Sequence, residues 1–180
     1  NNKLVLDIDA YINEYDGFLG QVEVSVPSTD KIGTDGSVID MLAANRSKQT
    51  RYRVFTNAKN KYKNYGSSLG VTYNFYKKYT VSGNVNYNDI VSNATNDVFV
   101  TGFNTPKWVT NFSFGNREVV KNVGFNIVWK WQKEFLWESP LANGVVPAYS
   151  TFDAQVSYKL PKIKTVIKTG GSNIFNKRQI

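Results

Sequence analysis

The chain has 180 residues, with 22 basic and 14 acidic side chains and a formal net charge of +8. It contains no cysteine and no histidine, which excludes disulfides, thiolate or imidazole metal ligands, cysteine nucleophiles and Ser-His-Asp triads. Its length suits one domain or a part of one. We therefore expect neither an enzyme nor a metal site or cofactor.

The hydropathy profile does not predict a membrane-spanning helix. No stretch approaches the roughly 18 consecutive apolar residues that such a helix needs, and the start, Asn1-Asn2-Lys3, has no signal-peptide pattern. The mean hydropathy of −0.38 is typical of a soluble protein. A transmembrane β-barrel is also polar on average, because half of its strand residues face a wet lumen. Composition thus leaves both classes open.

Charge is unevenly distributed along the chain. Residues 1–40 hold eight acidic and two basic side chains, whereas residues 46–79 hold nine basic side chains and no acidic one. A basic block of this kind attracts nucleic acid, anionic lipid headgroups or acidic ligands, or it forms a solvated surface.

Apolar residues recur with a period of two, which predicts strands that have one apolar and one polar face. The clearest case is 4–12, where Leu4, Leu6, Ile8, Ala10 and Ile12 alternate with mostly polar residues. The same alternation recurs in 68–75, 80–88, 107–114, 123–132, 151–160 and, most weakly, 163–169. About seven strands are predicted.

The predicted connections alternate between short and long. Short turns are expected at 76–79, 116–122 and 160–162, and long loops at about 16–49, 91–106 and 139–149. In an up-and-down sheet this alternation places all short turns at one rim and all long loops at the other, as in outer-membrane barrels. Aromatic residues flank both rims, which is typical of the two interfacial girdles: Tyr76, Tyr79 and Tyr158 beside the short turns, and Tyr87, Trp108, Trp137, Tyr149 and Phe152 toward the long loops.

Amides dominate the predicted polar face. In a large barrel these side chains would line an aqueous interior and contact either cargo or a plug, since amides both donate and accept hydrogen bonds. In a soluble sandwich they would simply face solvent. The lumen-facing candidates are Asn84, Asn86, Asn88, Asn111, Asn126, Gln132, Asp153 and Gln155.

Short motifs in 50–180 resemble TonB-dependent outer-membrane receptors. Near the end of the family's barrel, an aspartate is followed after four residues by a tyrosine, here Asp153 and Tyr158. An Asn-Leu-Phe-Asp-Lys motif comes next, here 173–177 with Ile and Asn as mild departures. Upstream, 102–108 is similar to a family loop that leads into a strand. The segment 65–69 is similar to a Tyr-Gly-x-Glu-Leu strand, with Ser68 for Glu.

The resemblance implies an all-β, antiparallel, up-and-down transmembrane β-barrel of about 22 strands, of which this chain holds about seven. Residues 1–180 would then be a partial C-terminal barrel domain, with the N-terminal plug and the final strand or strands outside it. The implied function is active uptake of a scarce solute across the outer membrane of a Gram-negative bacterium. The implied partners are TonB, reached through the absent plug, outer-membrane lipid and a surface lipoprotein lid.

Family ligands include ferric siderophores, cobalamin, glycans and peptides. The Asn-, Tyr- and Trp-rich loops fit glycan or peptide cargo at least as well as an iron chelate. We expect Trp137 and Tyr149, together with the loops 139–149 and 16–49, to contribute to the outer ligand mouth, because these long segments lie on the long-loop rim.

Two other classes remain open. A soluble β-sandwich or lectin-like carbohydrate-binding module would also show alternation, aromatic residues and polar loops. A basic β-protein that binds single-stranded nucleic acid needs lysines and aromatic rings interleaved on one face, whereas here they mostly occupy separate segments, so no nucleic-acid partner is expected. Among late acidic residues near the polar face, Asp153 and Glu138 have no spacing that pairs them for acid–base catalysis.

Overall fold

The computed structural model describes residues 3–27, 49–92, 102–139 and 142–178. Regular structure there consists of eleven strands and two single 3₁₀ turns, Tyr76–Lys78 and Pro161–Ile163. None of the helices in this part of the chain has the length and apolar character needed to cross a membrane. The strands are β1 (Leu4–Tyr15), β2 (Leu19–Pro27), β3 (Gln49–Asn57), β4 (Tyr62–Phe75), β5 (Tyr79–Ser92), β6 (Trp108–Val120), β7 (Val123–Gln132), β8 (Phe135–Glu138), β9 (Asn143–Val146), β10 (Tyr149–Leu160) and β11 (Thr165–Gly171).

Seven strands form one antiparallel sheet in the order β1-β4-β5-β6-β7-β10-β11. Each segment for which the sequence predicts alternation contributes one of these seven strands, so the prediction of an up-and-down antiparallel sheet is confirmed. The short connections lie at one rim of this sheet, around Lys77, Lys121 and Lys162, and we call this end the short-turn rim. The opposite end, reached by the longer connections, is the long-loop rim.

The long connections contain additional strand pairs. Between β1 and β4, β2 pairs with β3, and between β7 and β10, β8 pairs with β9, each as a separate two-stranded sheet. β2 and β9 lie within the predicted loops 16–49 and 139–149, whereas β3 and β8 adjoin those loops and were not among the predicted strands. β2 does alternate, with Val22, Val24 and Val26 between polar residues, so its omission was an error of the prediction. β8 and β9 have only four residues each, too few to show a clear period.

The strand register gives the main sheet an apolar face and a polar face. One row of paired residues on the apolar face runs across six strands, through Leu6, Val71, Gly83, Phe112, Trp129 and Phe152. The neighbouring row on the polar face runs through Asp7, Gly70, Asn84, Asn111, Lys130 and Thr151. Because side chains alternate sides along a strand, the pairing carries the alternation of each strand across the whole sheet.

The described residues form a single layer without a second sheet packed on the apolar face. The buried side chains in this part of the chain are those of Ala58, Tyr62 and Asn116. By contrast, Ile8 is 76% exposed and Leu69 is 49% exposed on the apolar face. A sandwich would bury these residues between its two sheets, so the sandwich alternative is wrong as a fold.

The two edge strands are exposed along their whole lengths. Every residue of β1 and of β11 is exposed, and within the described residues β1 pairs only with β4 and β11 only with β10. Each edge therefore presents a row of backbone groups that is available for pairing with a further strand.

Candidate functional site

All eight amide and acidic side chains expected to face a lumen lie on the polar face. Those of β5 alternate along the strand, and the register places Asn111 opposite Asn84, Gln155 opposite Asn126, and Gln132 opposite Val109. Asp153 lies opposite Val128, on the same side. The set is therefore one continuous surface, and its exposure to a lumen stays a prediction.

Three of these amides form a hydrogen-bonded cluster in the middle of the polar face. Asn111 Nδ2 donates to Asn84 Oδ1 at 3.0 Å, and Asn86 Nδ2 donates to the same oxygen at 3.2 Å. Beside them, Ser82 Oγ and Ser113 Oγ are 2.6 Å apart. These hydrogen bonds link side chains along β5 and across to the neighbouring strand β6, and Asn86 Nδ2 also lies 3.5 Å from the backbone oxygen of Val109.

A tyrosine that crosses a neighbouring strand holds Asn88. Tyr11 Oη donates to Asn88 Oδ1 at 2.6 Å, although Tyr11 lies on β1 and Asn88 on β5, with β4 between them. The ring reaches that far because it lies over Gly66, which is paired with both residues and has no side chain. Because residues 11 and 88 are far apart in the chain, the sequence pattern does not predict this contact.

Asp153 joins the two segments that carry the family resemblance. Its Oδ2 lies 2.6 Å from Lys130 Nζ, and its Oδ1 accepts the backbone N–H of Asn173 at 2.9 Å. The Asn173 side chain in turn exchanges two 2.9 Å hydrogen bonds with the backbone of Lys177. The aspartate on β10 thus anchors a closed turn after β11. Lys130 was not among the candidates from the sequence.

An aromatic pocket of about 220 Å³ lies on the polar face at the long-loop rim. Phe18 makes edge-to-face contacts with Tyr15 and Tyr62, with ring centroids 6.1 and 6.2 Å apart. The remaining wall is formed by Asn64, Ile90, Gly102 and Phe103. The pocket joins rings from three separate parts of the chain, and for this reason the sequence pattern did not reveal it.

A larger cleft of about 450 Å³ adjoins the aromatic pocket and shares Ile90 and Phe103 with it. Its lining mixes charged, amide and apolar groups, including Asp89, Asn104, Lys107, Lys133, Phe135 and Glu138. Lys107 Nζ lies 2.8 Å from Asp89 Oδ2, and this hydrogen bond raises the pKa of Lys107 above its ordinary value. Tyr87 also donates to Asp89 Oδ2 at 3.0 Å.

The expected mouth residues occupy different positions at this rim. Trp137 lies on β8, opposite Gly144, and is 47% exposed. Tyr149 is paired with Gln132 and therefore lies on the polar face. Its predicted place in the aromatic girdle is wrong, because the girdle lies on the apolar face. Neither residue lines the pocket or the cleft. Their role in a ligand mouth stays a prediction, and residues 28–48 of the loop 16–49 lie outside the described residues.

The aromatic girdle expected toward the long loops is present in part. Tyr87 and Trp108 are paired on the apolar face, with ring centroids 4.8 Å apart, and Tyr65 lies 6.0 Å from Tyr87. Amphipathic rings that surround an apolar band are typical of a membrane interface. Over the described ranges, no three acidic side chains come together in a way that could hold a metal ion.

The family model described as "TonB dependent receptor-like, beta-barrel" matches residues 1–176. The chain belongs to this TonB-dependent receptor family. Its members are receptors and transporters of the Gram-negative outer membrane. A solved relative in fold is the ferripyoverdine receptor of the outer membrane of Pseudomonas aeruginosa, bound to ferripyoverdine, with a TM-score of 0.58.

That likeness covers 98% of this chain and 22% of the Pseudomonas receptor, at 10% sequence identity. The chain thus spans less than a quarter of that receptor, and at this identity the likeness shows the fold alone. No curated protein matches the sequence. Within the family's architecture, the seven-stranded sheet is a part of the barrel wall.

Asn104 connects the segment before β6 to the β8–β9 pair of this receptor wall. Its Nδ2 donates to the backbone oxygen of Glu138 at 2.9 Å, and its Oδ1 accepts the Glu138 N–H at 2.7 Å. Its backbone has a positive φ of 45°, which asparagine tolerates better than most residues. The Asn104 side chain therefore satisfies both backbone groups of Glu138, as the backbone of a neighbouring strand residue would.

We predict that Asn104→Asp loosens this connection, because the carboxylate keeps the acceptor but loses the donor to Glu138. Loss of one such hydrogen bond costs about 1 kcal/mol, so protection of the Glu138 amide from hydrogen exchange should fall about fivefold. Asn143→Asp, on the same strand pair, is the matched control and should leave that amide's exchange within twofold. Unchanged exchange in Asn104→Asp would contradict the role assigned to this amide.

Proposed function

We propose that the protein to which this chain belongs imports a scarce solute across the outer membrane of a Gram-negative bacterium, energised through TonB. The observation that carries the proposal is the exposed apolar face of a single-layer sheet, opposite a face of hydrogen-bonded amides, in a member of this receptor family. Exposed apolar surface on this scale marks a membrane or a protein partner. We assign it to outer-membrane lipid.

The chain contributes part of the barrel wall to this function. The edges of β1 and β11 would pair with further strands of the same barrel, which removes the open edges. A plug outside these residues would occupy the lumen against Asn84, Asn111 and their neighbours, and it would make the contact with TonB. A surface lipoprotein lid over the long-loop rim is part of the proposal. The proposed transport includes no catalytic step.

The chemistry of the long-loop rim fits glycan or peptide cargo at least as well as an iron chelate. Tyr15, Phe18 and Phe103 line the pocket with aromatic rings, on which sugar rings or apolar peptide side chains can pack, and the buried Tyr62 supports Phe18 from behind. Asn64 adds an amide to the pocket wall. The Pseudomonas relative is bound to ferripyoverdine, so this chelate is the natural competitor in a test.

Uptake in cells tests the proposal. The full-length receptor is expressed in Gram-negative cells with and without TonB, and accumulation of labelled maltoheptaose, a pentapeptide, cobalamin and ferripyoverdine is measured. We expect the receptor in the outer-membrane fraction and accumulation of the glycan or the peptide only when TonB is present. A water-soluble receptor, or equal accumulation without TonB, would contradict the transport proposal. Exclusive uptake of ferripyoverdine would contradict the cargo assignment.

Trp137 is expected to contribute to the outer ligand mouth, and this expectation can be tested by substitution. If its exposed ring packs on cargo, Trp137→Ala should weaken binding of the transported probe to the purified full-length receptor by about two- to tenfold, the range for one aromatic contact. Phe103→Ala, which opens both the pocket and the cleft, should weaken it by at least as much. The control is Trp129→Phe on the apolar face, with unchanged affinity. Unchanged affinity in Trp137→Ala would remove this residue from the mouth.

A further inference from the structure

Basic side chains are concentrated at the short-turn rim of the sheet. We define this rim as Lys3, residues 75–79, 116–122 and 159–165, which end or connect β1, β4–β5, β6–β7 and β10–β11. These segments contain eight basic residues and one acidic residue, a formal charge of +7, close to the net charge of the whole chain. The basic residues are Lys3, Lys77, Lys78, Arg117, Lys121, Lys159, Lys162 and Lys164.

The opposite rim is arranged differently, because four of its basic side chains pair with acidic ones. Lys61 lies 2.9 Å from Asp16, Lys63 2.5 Å from Glu14, Arg53 3.3 Å from Glu23 and Lys107 2.8 Å from Asp89. At the short-turn rim, the one ion pair among the described residues joins Lys78 to Glu118. The positive charge there is thus largely uncompensated within the described part of the chain.

The backbone conformation of the turns also indicates a use for their lysine side chains. Lys77, Lys78 and Lys164 have φ values of 49°, 69° and 52°, in the left-handed region that glycine and asparagine adopt at lower cost. Asn122, in the turn between β6 and β7, has the residue type expected there, with φ 68°. Lysine thus occupies three positions where the local conformation favours another residue, which indicates a use for its side chain beyond making the turn.

An aromatic band lies directly next to these turns. Tyr73, Phe75, Tyr79 and Phe114 stack in succession, with ring centroids 5.6–5.7 Å apart, and Phe125 contacts Phe114 edge to face at 5.6 Å. Their strands' register places Tyr73 and Phe114 on the apolar face. Aromatic rings prefer the level where lipid chains meet headgroups.

Two of the basic turns are held in a fixed relation by a buried amide. Asn116, 3% exposed, donates from Nδ2 to the backbone oxygen of Lys77 at 3.0 Å, and its Oδ1 accepts the Glu118 N–H at 2.7 Å. The lysines of the first turn and Arg117 therefore project from a preformed surface. The aromatic rings are placed to contact the acyl chains of an anionic phospholipid. The lysine ammonium groups, just beyond the rings, are placed to contact its headgroup.

We propose that the short-turn rim binds the phosphodiester headgroups of anionic phospholipids, of the phosphatidylglycerol type, in the leaflet on that side of the membrane. The headgroup phosphates contact the lysines of the turns, and the acyl chains lie against the aromatic band. This inference rests on the membrane placement proposed above, and it adds a lipid specificity that the transport function does not require. Polybasic segments at a membrane surface gain affinity for anionic lipid with each lysine.

The test measures lipid affinity of the full-length receptor, folded in a neutral detergent, by native mass spectrometry. The probes are dioctanoyl-phosphatidylglycerol, dioctanoyl-phosphatidylcholine with the same chains, and inorganic phosphate. We expect the anionic lipid to bind at least about tenfold more tightly than the zwitterionic one, with phosphate unable to displace it at equal concentration. Equal affinity for the two lipids would overturn the proposal, as would displacement by phosphate, which would indicate a site for any free anion.

Matched variants separate a built site from general positive charge. The triple variant Lys121→Gln, Lys162→Gln, Lys164→Gln should lose most of the preference, at least about tenfold in affinity. The control, Arg53→Gln, Lys61→Gln, Lys63→Gln, removes the same charge from the opposite rim and should keep the preference. An equal loss in both would overturn the proposal. A receptor that stays soluble without detergent would instead contradict the membrane placement, so the two failures are distinguishable.

Discussion

Leu69→Arg is expected to destabilise the full-length receptor by about 2–4 kcal/mol when unfolding is measured in lipid vesicles, the cost of an arginine at the middle of a lipid-facing strand. Leu69 lies midway along β4 on the apolar face, between Ile8 and Val85 on the neighbouring strands, and is 49% exposed. If lipid covers this face, the guanidinium must leave water or distort the bilayer. If water covers it, the substitution costs almost nothing.

The neighbouring residue provides the control. Ser68 precedes Leu69 but lies on the polar face, where its hydroxyl donates to Asp9 at 3.2 Å. Ser68→Arg introduces the same charge and volume next to a carboxylate, and we expect a change of less than about 1 kcal/mol, typical of an exposed pair. Denaturant titrations of both variants in the same vesicles give the comparison. Equal destabilisation by both arginines would contradict the assignment of the two faces.

Gly66→Ala is expected to destabilise the receptor by about 1–3 kcal/mol, as overpacking does in a closely packed site. A methyl group at this position would lie 2.5 Å from the backbone oxygen of Tyr87 and 2.7 Å from the ring of Tyr11. One of these neighbours is backbone, so relief requires displacement of a strand as well as of the tyrosine ring whose hydroxyl donates to Asn88. The same substitution at an unhindered site is neutral or slightly stabilising, because it restricts the unfolded chain.

Gly144→Ala on β9 is the matched control, since no atom lies within 4 Å of the added methyl group there. We expect no loss of stability in that variant. Tyr11→Phe keeps the ring and removes the hydrogen bond alone, and its expected cost is about 1 kcal/mol. A stability of Gly66→Ala equal to that of Gly144→Ala, in urea unfolding of the full-length receptor, would contradict the close approach at this position.

The strands and faces of the main sheet could be predicted from the sequence, because apolar and polar residues alternate along a strand whose two faces meet different surroundings. Leu69 and Ser68, or Asn84 and Val85, are assigned to opposite faces by position alone, and the register agrees. The short turns were equally visible, since each interrupts the alternation for only a few residues. The family followed from the short motifs at Asp153 and 173–177.

The contacts at the long-loop rim could not be predicted in this way. Phe18, Tyr62 and Phe103 meet in one pocket because two loops approach each other, and no periodicity encodes that approach. The pairing of Lys130 with Asp153, and of Tyr11 with Asn88, depends on which strands become neighbours and in which register. Strand order and register depend on interactions among all strands of the sheet, so they cannot be predicted from the sequence of one segment.

Lipid contact on one face and water on the other is tested most directly by spin-label accessibility along β4. These 180 residues contain no cysteine. Single cysteines are introduced at Ser68, Leu69, Val71 and Thr72 and labelled in the full-length receptor in vesicles, after any cysteine elsewhere in that receptor has been replaced by serine. We predict that labels at 69 and 71 are relaxed mainly by membrane-dissolved oxygen. Those at 68 and 72 should be relaxed mainly by a water-soluble nickel chelate, or shielded from both by the plug. Labels at all four positions that respond alike to the water-soluble reagent would contradict the account.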